Sequence, residues 1–435
     1  MKCTHPLPLT CAGTGFVFLF LSLLPVGALT LGSTVAHAAV FLLLLAVAAA
    51  ALVLVQRYQP TQQVMIALLP IGLSLFLRAL MLDFQTHDYY TFLEQWAAAF
   101  RDNSGFAAVK LPIGNYNAPY LYFLAAISYL PVPDLYLIKL FSIFFDVILA
   151  WGGLRLVRHF TGADSYRPLV CFCLLLLLPT VVLNGACWAQ CDSIYGALTL
   201  HALASVLKGR GGASCALMGL AFSFKLQSVF VLPLWGMLFL LGRVRLRQLL
   251  WFPGAYAITC LPALLLGKPL KDILGVYLGQ ATEYSEYLNL NSPNLFAFLP
   301  YQAQVDTALA SRLGILAAFA LVVVVAVLLC LFRCRDNDKA LLAAAGVLAI
   351  GVPFLLPYMH ERYFFLADVI VLCWACISPR RAPVAALVQA GSLGAYLVYL
   401  RQTEYFWPVA SSTRIEATEP SLPAAAMGGS DSPMR

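Results

Sequence analysis

Side chains able to do chemistry are scarce in this chain, and they collect in a few polar turns. The first holds Asp83, His87, Asp88, Tyr89, Tyr90, Glu94 and Trp96. The second reads Trp188-Ala-Gln190-Cys-Asp192-Ser193, and the third places Lys225 and Gln227 in an otherwise apolar run. A long fourth stretch from Lys268 to Ser311 carries Tyr284, Tyr287, Asn289, Asn291 and then Ser292-Pro293-Asn294. The last is Tyr358-Met-His360-Glu361-Arg362-Tyr363. A carboxylate such as Asp88 can act as general base toward a hydroxyl. Lys225, His360 and Arg362 can bind a lipid phosphate or pyrophosphate and stabilise it as it leaves. Trp and Tyr rings stack on sugars and anchor at the headgroup level.

The elements that must position these groups are membrane helices. Of 435 residues, 61% are hydrophobic and 11% charged, against about 25% charged in soluble domains. Mean hydropathy is +0.83. So few charges cannot cover a water-facing surface, which excludes a soluble globular protein. No alternating strands of about ten residues are visible, so a transmembrane β-barrel is excluded as well. Apolar runs at 13–31, 35–55, 64–82, 134–154, 167–184, 192–207, 213–224, 227–241, 248–266, 312–332, 340–357, 363–378 and 383–400 predict an all-α polytopic protein of about 13 transmembrane helices. They form one domain over residues 1–401, followed by a Ser/Pro/Ala-rich tail, 402–435, that reads as disordered. No room remains for a nucleotide-binding domain, which excludes an ATP-driven motor or a kinase.

The net charge of +7 reflects topology rather than nucleic-acid binding. Arg57; Arg155, Arg158 and Arg167; Lys208 and Arg210; Arg243, Arg245 and Arg247; Arg333, Arg335 and Lys339; and Arg380 and Arg381 all fall on one side if the spans alternate, and that side is cytoplasmic by the positive-inside rule. The scheme lets residues 118–155 cross only once, so the short stretch 118–131 is predicted to be re-entrant or interfacial. Thr91–Arg101 is predicted to be an amphipathic helix lying at the interface, with Phe92, Trp96, Ala99 and Phe100 on its apolar face. Ala36-His37-Ala38 imitates a signal-peptide cleavage site, but the preceding apolar stretch is too long for one, which favours an uncleaved first helix. Cys373 and Cys376, spaced C-x-x-C on an apolar helix, read as packing residues.

With this topology the polar turns share the outer face, which points to one site there. Nucleotide sugars are cytosolic, so an outward site implies a sugar donor presented by a lipid. Asp146 and Asp368 lie inside spans and pair with cations or backbone groups in the simplest view. Asp192 and Ser193 could alternatively cap a helix start. Asp83, Asp88 and Asp192 could hold a divalent cation (Mg or Mn), though no spacing demands a metal. The main rival function is a transporter or flippase of a lipid-linked or small polar substrate. It would use intramembrane Lys225 and Asp146 and an inverted repeat, and no repeat is visible.

The motifs Thr86-His-Asp88-Tyr-Tyr-Thr-Phe92-Leu-Glu-Gln-Trp96, Asn115-Tyr116-Asn-Ala-Pro119-Tyr-Leu-Tyr122, Trp188-Ala-Gln190-Cys-Asp192-Ser193-Ile-Tyr195, Phe224-Lys225-Leu-Gln227, Asn291-Ser-Pro293-Asn294-Leu295 and Tyr358-Met-His360-Glu361-Arg362-Tyr363-Phe364 together resemble the GT-C superfamily of multi-spanning glycosyltransferases. Within it the chain is similar to bacterial relatives of the eukaryotic GPI mannosyltransferase II. The resemblance implies an inverting hexosyltransferase, with mannose as the sugar, in the bacterial cytoplasmic membrane and facing outward. Its partners would be a polyprenyl-phosphate-linked sugar donor, a glycan, lipid or protein acceptor, and membrane lipid. It assigns the base to Asp88, with Asp83 as second candidate. Donor and acceptor binding fall to Tyr116, Trp188, Gln190, Asp192, Lys225, Gln227, Asn294, His360, Glu361 and Arg362. Many relatives carry Tyr-Pro-Pro where this chain has Tyr116-Asn117-Ala118-Pro119.

Overall fold

A computed structural model of the chain describes residues 6–282, 287–299 and 305–401. Among these residues, strand is confined to one short parallel pair, Asn289–Leu290 against Met359–His360. Among the described residues eight helices are long and apolar enough to cross a bilayer: Pro6–Gly27, Thr34–Gln56, Thr61–Ala79, Asp134–Thr161, Leu246–Leu265, Thr307–Leu331, Asp338–Leu355 and Pro379–Arg401. A further pair, Arg167–Leu177 and Pro179–Cys187, is bent by 49° at its break, where Pro179 has no N–H to continue the first helix.

The other expected spans are shorter helices: Asp192–Leu207, Gly211–Phe224, Leu226–Leu240 and Phe365–Ile377. At ~1.5 Å per residue, helices of this length fall short of the ~30 Å hydrocarbon core. Two of them stop where the polar turns begin: Gly211–Phe224 ends at Lys225, and Phe365–Ile377 starts just past Arg362. Asp192–Leu207 is buried along nearly its whole length, so it is enclosed by protein rather than lipid. The stretch expected to be re-entrant is a ten-residue helix, Ala118–Ile127, capped by the Asn117 side chain, and is too short to span.

The arginine-rich turns gather at one end of the bundle. The Arg158 guanidinium lies 5.0 Å from the Tyr58 ring centre. Arg243 donates to the carbonyls of Arg335 and Leu207 and pairs with Asp338 at 2.8 Å. His159 reaches Asp338 at 2.6 Å, and Arg167 donates to the Ile377 carbonyl. The polar turns singled out in the sequence gather at the opposite end. The alternation inferred from charge therefore partitions the turns as the structure does.

In the first polar loop a π-turn, Tyr89–Leu93, precedes the helix Glu94–Asp102. The extra residue of that turn rotates the buried face to Leu93, Ala97 and Phe100, with Phe92, Trp96 and Ala99 only half-buried. That is a correction to the face expected from a regular helix. Residues 402–435 and Tyr284 lie outside the described residues.

Candidate active site

Asp88 follows a turn and opens the π-turn, so its side chain is fixed by neighbours from distant parts of the chain. Its Oδ2 accepts from Trp188 Nε1 at 2.9 Å, Gln190 Nε2 at 3.2 Å and Arg362 Nη1 at 3.3 Å. Its Oδ1 accepts from the Tyr399 hydroxyl at 2.8 Å, and that hydroxyl in turn accepts from the Asp88 backbone N–H at 3.0 Å. The Tyr399 ring stacks on Trp188 at 4.0 Å and 9°, and the Arg362 guanidinium covers the Trp188 ring at 5.3 Å. A carboxylate offers roughly four acceptor sites. Three donors converge on Oδ2 and one on Oδ1, so Oδ1 keeps capacity for a further hydroxyl. The Asp88 and Arg362 side chains are 19% and 16% exposed, so this cluster opens to solvent.

Trp188 and Gln190 can both reach Asp88 because the residue between them, Ala189, sits in the left-handed region at φ 60. A residue with a Cβ pays ~1–2 kcal/mol there. Two more such residues, Asn291 (φ 56) and Tyr358 (φ 63), flank the strand pair that carries His360. Strained backbone thus occurs in the turn that aims two donors at Asp88 and on both sides of the strand pair that leads to Arg362.

A second cluster lies deeper. Asp192 Oδ1 accepts from Lys225 Nζ at 2.6 Å, and its Oδ2 accepts from Asn184 Nδ2 at 2.6 Å. Asn184 Nδ2 also donates to the Tyr396 hydroxyl, and Asn184 Oδ1 accepts from the Asp192 backbone N–H. Asp192 therefore does not cap its helix, and the hydroxyl of Ser193 goes to Asp146 instead. Gln190 joins the two clusters, since its Oε1 accepts from the Tyr116 hydroxyl at 3.3 Å. Burial pushes the Tyr116 phenol well above its usual range, so it stays a proton donor. Burial likewise raises the Cys191 thiol, which leaves no ready thiolate nucleophile at this position. The Lys225 ammonium lies 6.0 Å from the Tyr116 ring centre.

Among the candidate residues, Asp88, Tyr116, Trp188, Gln190, Asp192, Lys225 and Arg362 thus form one connected group. Glu361 is 5% exposed, and its Oε2 lies 3.5 Å from His360 Nδ1. Gln227 packs beside Tyr363. Asn294 is not brought to Asp88: it accepts from the Phe296 N–H and donates to the Leu356 carbonyl, pinning its loop to the end of a helix. Asp83 is not brought there either. Its carboxylate accepts from the Tyr136 hydroxyl at 2.6 Å and the Thr30 N–H at 2.9 Å, which makes it a brace between loops. Asn184, Tyr396 and Tyr399 complete the site and were not singled out from sequence. The two tyrosines fall one helical turn apart on the last apolar helix, and that spacing was the available signal.

Asp83, Asp88 and Asp192 are not brought together. Asp83 faces elsewhere, while Asp88 and Asp192 are each met by a cation and by amide donors. Among the described residues no group of three or more His, Cys, Asp or Glu is placed to hold a metal.

The model of glycosyltransferase family 87 matches residues 115–357. That segment carries Tyr116, Trp188, Gln190, Asp192, Lys225 and Gln227; Asp88, Arg362 and Tyr399 lie outside it. No curated protein matches the chain. Because the match spans more than half of the 435 residues, the chain belongs to glycosyltransferase family 87, a GT-C-type family, and is a multi-pass membrane glycosyltransferase.

Proposed function

We propose that this transferase moves a hexose, with mannose as the first choice, from a polyprenyl-phosphate donor to an acceptor hydroxyl, with inversion. The observation that carries the proposal is Asp88: a partly exposed carboxylate with one underused oxygen, held beside a guanidinium at the end of the bundle opposite the arginine-rich turns. If those turns are cytoplasmic, the site faces outward, beyond the reach of nucleotide sugars, and takes its sugar from a lipid. The acceptor is the hydroxyl of a glycan, lipid or protein.

The proposed steps use this arrangement as follows. The acceptor hydroxyl takes the free position on Asp88 Oδ1 and gives up its proton there as its oxygen attacks C1 of the sugar. The bond between C1 and the phosphate oxygen breaks, and the electron pair leaves on polyprenyl phosphate. Arg362 holds Asp88 beforehand; once Asp88 is protonated, that attraction weakens, and the guanidinium can turn to the departing phosphate. His360, on the neighbouring residue pair, adds a second donor. Gln190 and the Asp192–Lys225 pair orient sugar hydroxyls, and Trp188 offers a ring face.

The test is transfer by the purified protein in liposomes containing a polyprenyl-phosphate hexose. Asp88→Asn should insert normally and transfer roughly 10²–10⁴-fold more slowly; full activity in that variant rejects Asp88 as base. Uptake of substrate into sealed vesicles with no covalent product would instead favour the transporter reading. Cysteine labelling should reach positions 88 and 360 from the same aqueous side.

A further inference from the structure

Three aspartates are buried in the helical body, and two of them meet a cation: Asp146 meets Arg78, and Asp192 meets Lys225. The third, Asp368, is 2% exposed, and no Lys, Arg or His among the described residues forms an ion pair with it. Oxygen-bearing side chains surround it. The Ser392 hydroxyl donates to Asp368 Oδ1 at 2.9 Å. The Thr180 hydroxyl faces the same carboxyl and donates to Gln389 Oε1 at 3.2 Å. Thr180 and Ser392 are 0% and 1% exposed. Asp368 Oδ2 has no hydrogen-bond partner.

This arrangement is costly for the ionised carboxylate. An ionised carboxylate without a partner loses several kcal/mol of hydration. Its place in the first turn of Phe365–Ile377 lets the helix dipole return only ~1 kcal/mol. A neutral acid could turn its proton only to the Thr180 hydroxyl, so a proton and a cation would compete for the same lone pairs. The surroundings present lone pairs, from hydroxyls and an amide oxygen, around a single negative charge. They also sit at the break of the bent span, since Thr180 lies in the first turn after Leu178. A single negative charge among neutral oxygen donors matches a singly charged, hard cation in charge and ligand hardness. Mg²⁺ would keep a shell of waters, and Ca²⁺ favours more carboxylates.

We propose that Asp368, Ser392, Thr180 and Gln389 Oε1 bind one dehydrated, hard monovalent cation. The cation joins three segments: the bent span, the Phe365–Ile377 helix and the Pro379–Arg401 helix. The last of these carries Tyr396 and Tyr399, so the ion braces the helix that supplies two tyrosines to the candidate active site.

The experiment is thermal unfolding of the full-length protein in detergent, in NaCl, KCl or N-methylglucamine chloride at equal ionic strength. A ligand that binds only the folded state raises the midpoint with concentration. We expect a saturable rise with Na⁺ or K⁺ over N-methylglucamine, with the better-fitting ion giving the larger rise. Asp368→Asn should abolish the difference, and radioactive Na⁺ binding should reach one ion per chain in the wild type only. Should Asp368→Asn not fold, Ser392→Ala and Thr180→Ala should each raise the half-saturating concentration by roughly tenfold, about 1.4 kcal/mol. Equal midpoints in all three salts, or a salt effect that survives all three substitutions, overturns the proposal. So does a midpoint that follows pH but not the cation, which assigns the site to a proton. The readout is stability and ion binding, so it stands apart from the fate of the transfer reaction.

Discussion

Two aspartate–arginine pairs in this protein use the same functional groups in opposite settings. Asp146 and Arg78 are 0% and 1% exposed, and Arg78 Nε and Nη2 both lie 2.9 Å from Asp146 Oδ2. Ser193 donates to the other carboxylate oxygen, and Arg78 Nη1 donates to the Ser74 and Leu176 carbonyls. The pair thereby ties together the Thr61–Ala79, Asp134–Thr161, Arg167–Leu177 and Asp192–Leu207 helices. Asp88 and Arg362 sit 3.3 Å apart, each with a sixth or so of its side chain exposed. The buried pair has nowhere for a substrate to enter; the open pair has an oxygen with room for one more hydroxyl. Charge pairing alone does not tell the two pairs apart. Access, together with an incomplete set of donors, is what makes Asp88 the proposed base.

Substitutions should separate the two pairs by what they damage. The largest effect belongs to Asp88→Asn. General-base catalysis contributes roughly 10²–10⁴ in rate, and transfer should fall by that factor. The amide can keep part of the donor network, and the site is partly solvated, so the unfolding midpoint should move little. An Asp88→Asn protein that loses stability as severely as activity would make Asp88 another structural brace, and the contrast between the pairs would disappear.

Next is Asp146→Asn, which strands a buried guanidinium. Removing one partner of a buried pair costs ~3–5 kcal/mol, readable as a large drop in midpoint, while the folded fraction keeps its rate per molecule. Replacing both partners with leucine should recover much of that stability, because two desolvation penalties go together. If the double replacement is no better than the single one, the pair contributes more than mutual neutralisation.

Much of this architecture was legible in the sequence. Each expected apolar span has a helical counterpart, because lipid leaves few alternatives to a helix. The turns bearing Asp88, Trp188, Gln190, Asp192, Lys225 and Arg362 stood out because polar groups are rare in such a chain. Two kinds of feature stayed hidden. Arg78 and Lys139 each stand alone in an apolar run, where window averages submerge a single cation, though Lys139 donates to the carbonyls of Met81 and Leu82. Asp83 and Asp88 lie in one loop and share a residue type, so only their three-dimensional partners tell brace from site. Tyr399 is the clearest miss, since a tyrosine in a last apolar helix reads as an interface anchor. Tyr399→Phe tests its role: the ring can still stack on Trp188 while Oδ1 loses its donor. Expected is a fall of about tenfold in kcat with little change in KM or in midpoint, the pattern of an interaction made chiefly in the transition state. A change confined to stability would demote Tyr399 to packing.

The smallest effect should come from Ala189, and it probes how the open site is held. The left-handed conformation at φ 60 costs alanine ~1–2 kcal/mol. Glycine adopts it freely but loses ~0.4–1 kcal/mol through the greater entropy of its unfolded chain. Ala189→Gly should therefore leave stability within about 1 kcal/mol of wild type, on the favourable side. Transfer should nonetheless fall severalfold, because the turn that aims Trp188 Nε1 and Gln190 Nε2 at one carboxylate oxygen becomes looser. Alanine at this position makes sense only if rigidity at the turn is worth its strain. A glycine variant that is destabilised by more than about 2 kcal/mol, beyond any entropic cost, would show that the turn is not strained, and the donors of Asp88 would have to be fixed by the stacked Tyr399 ring alone.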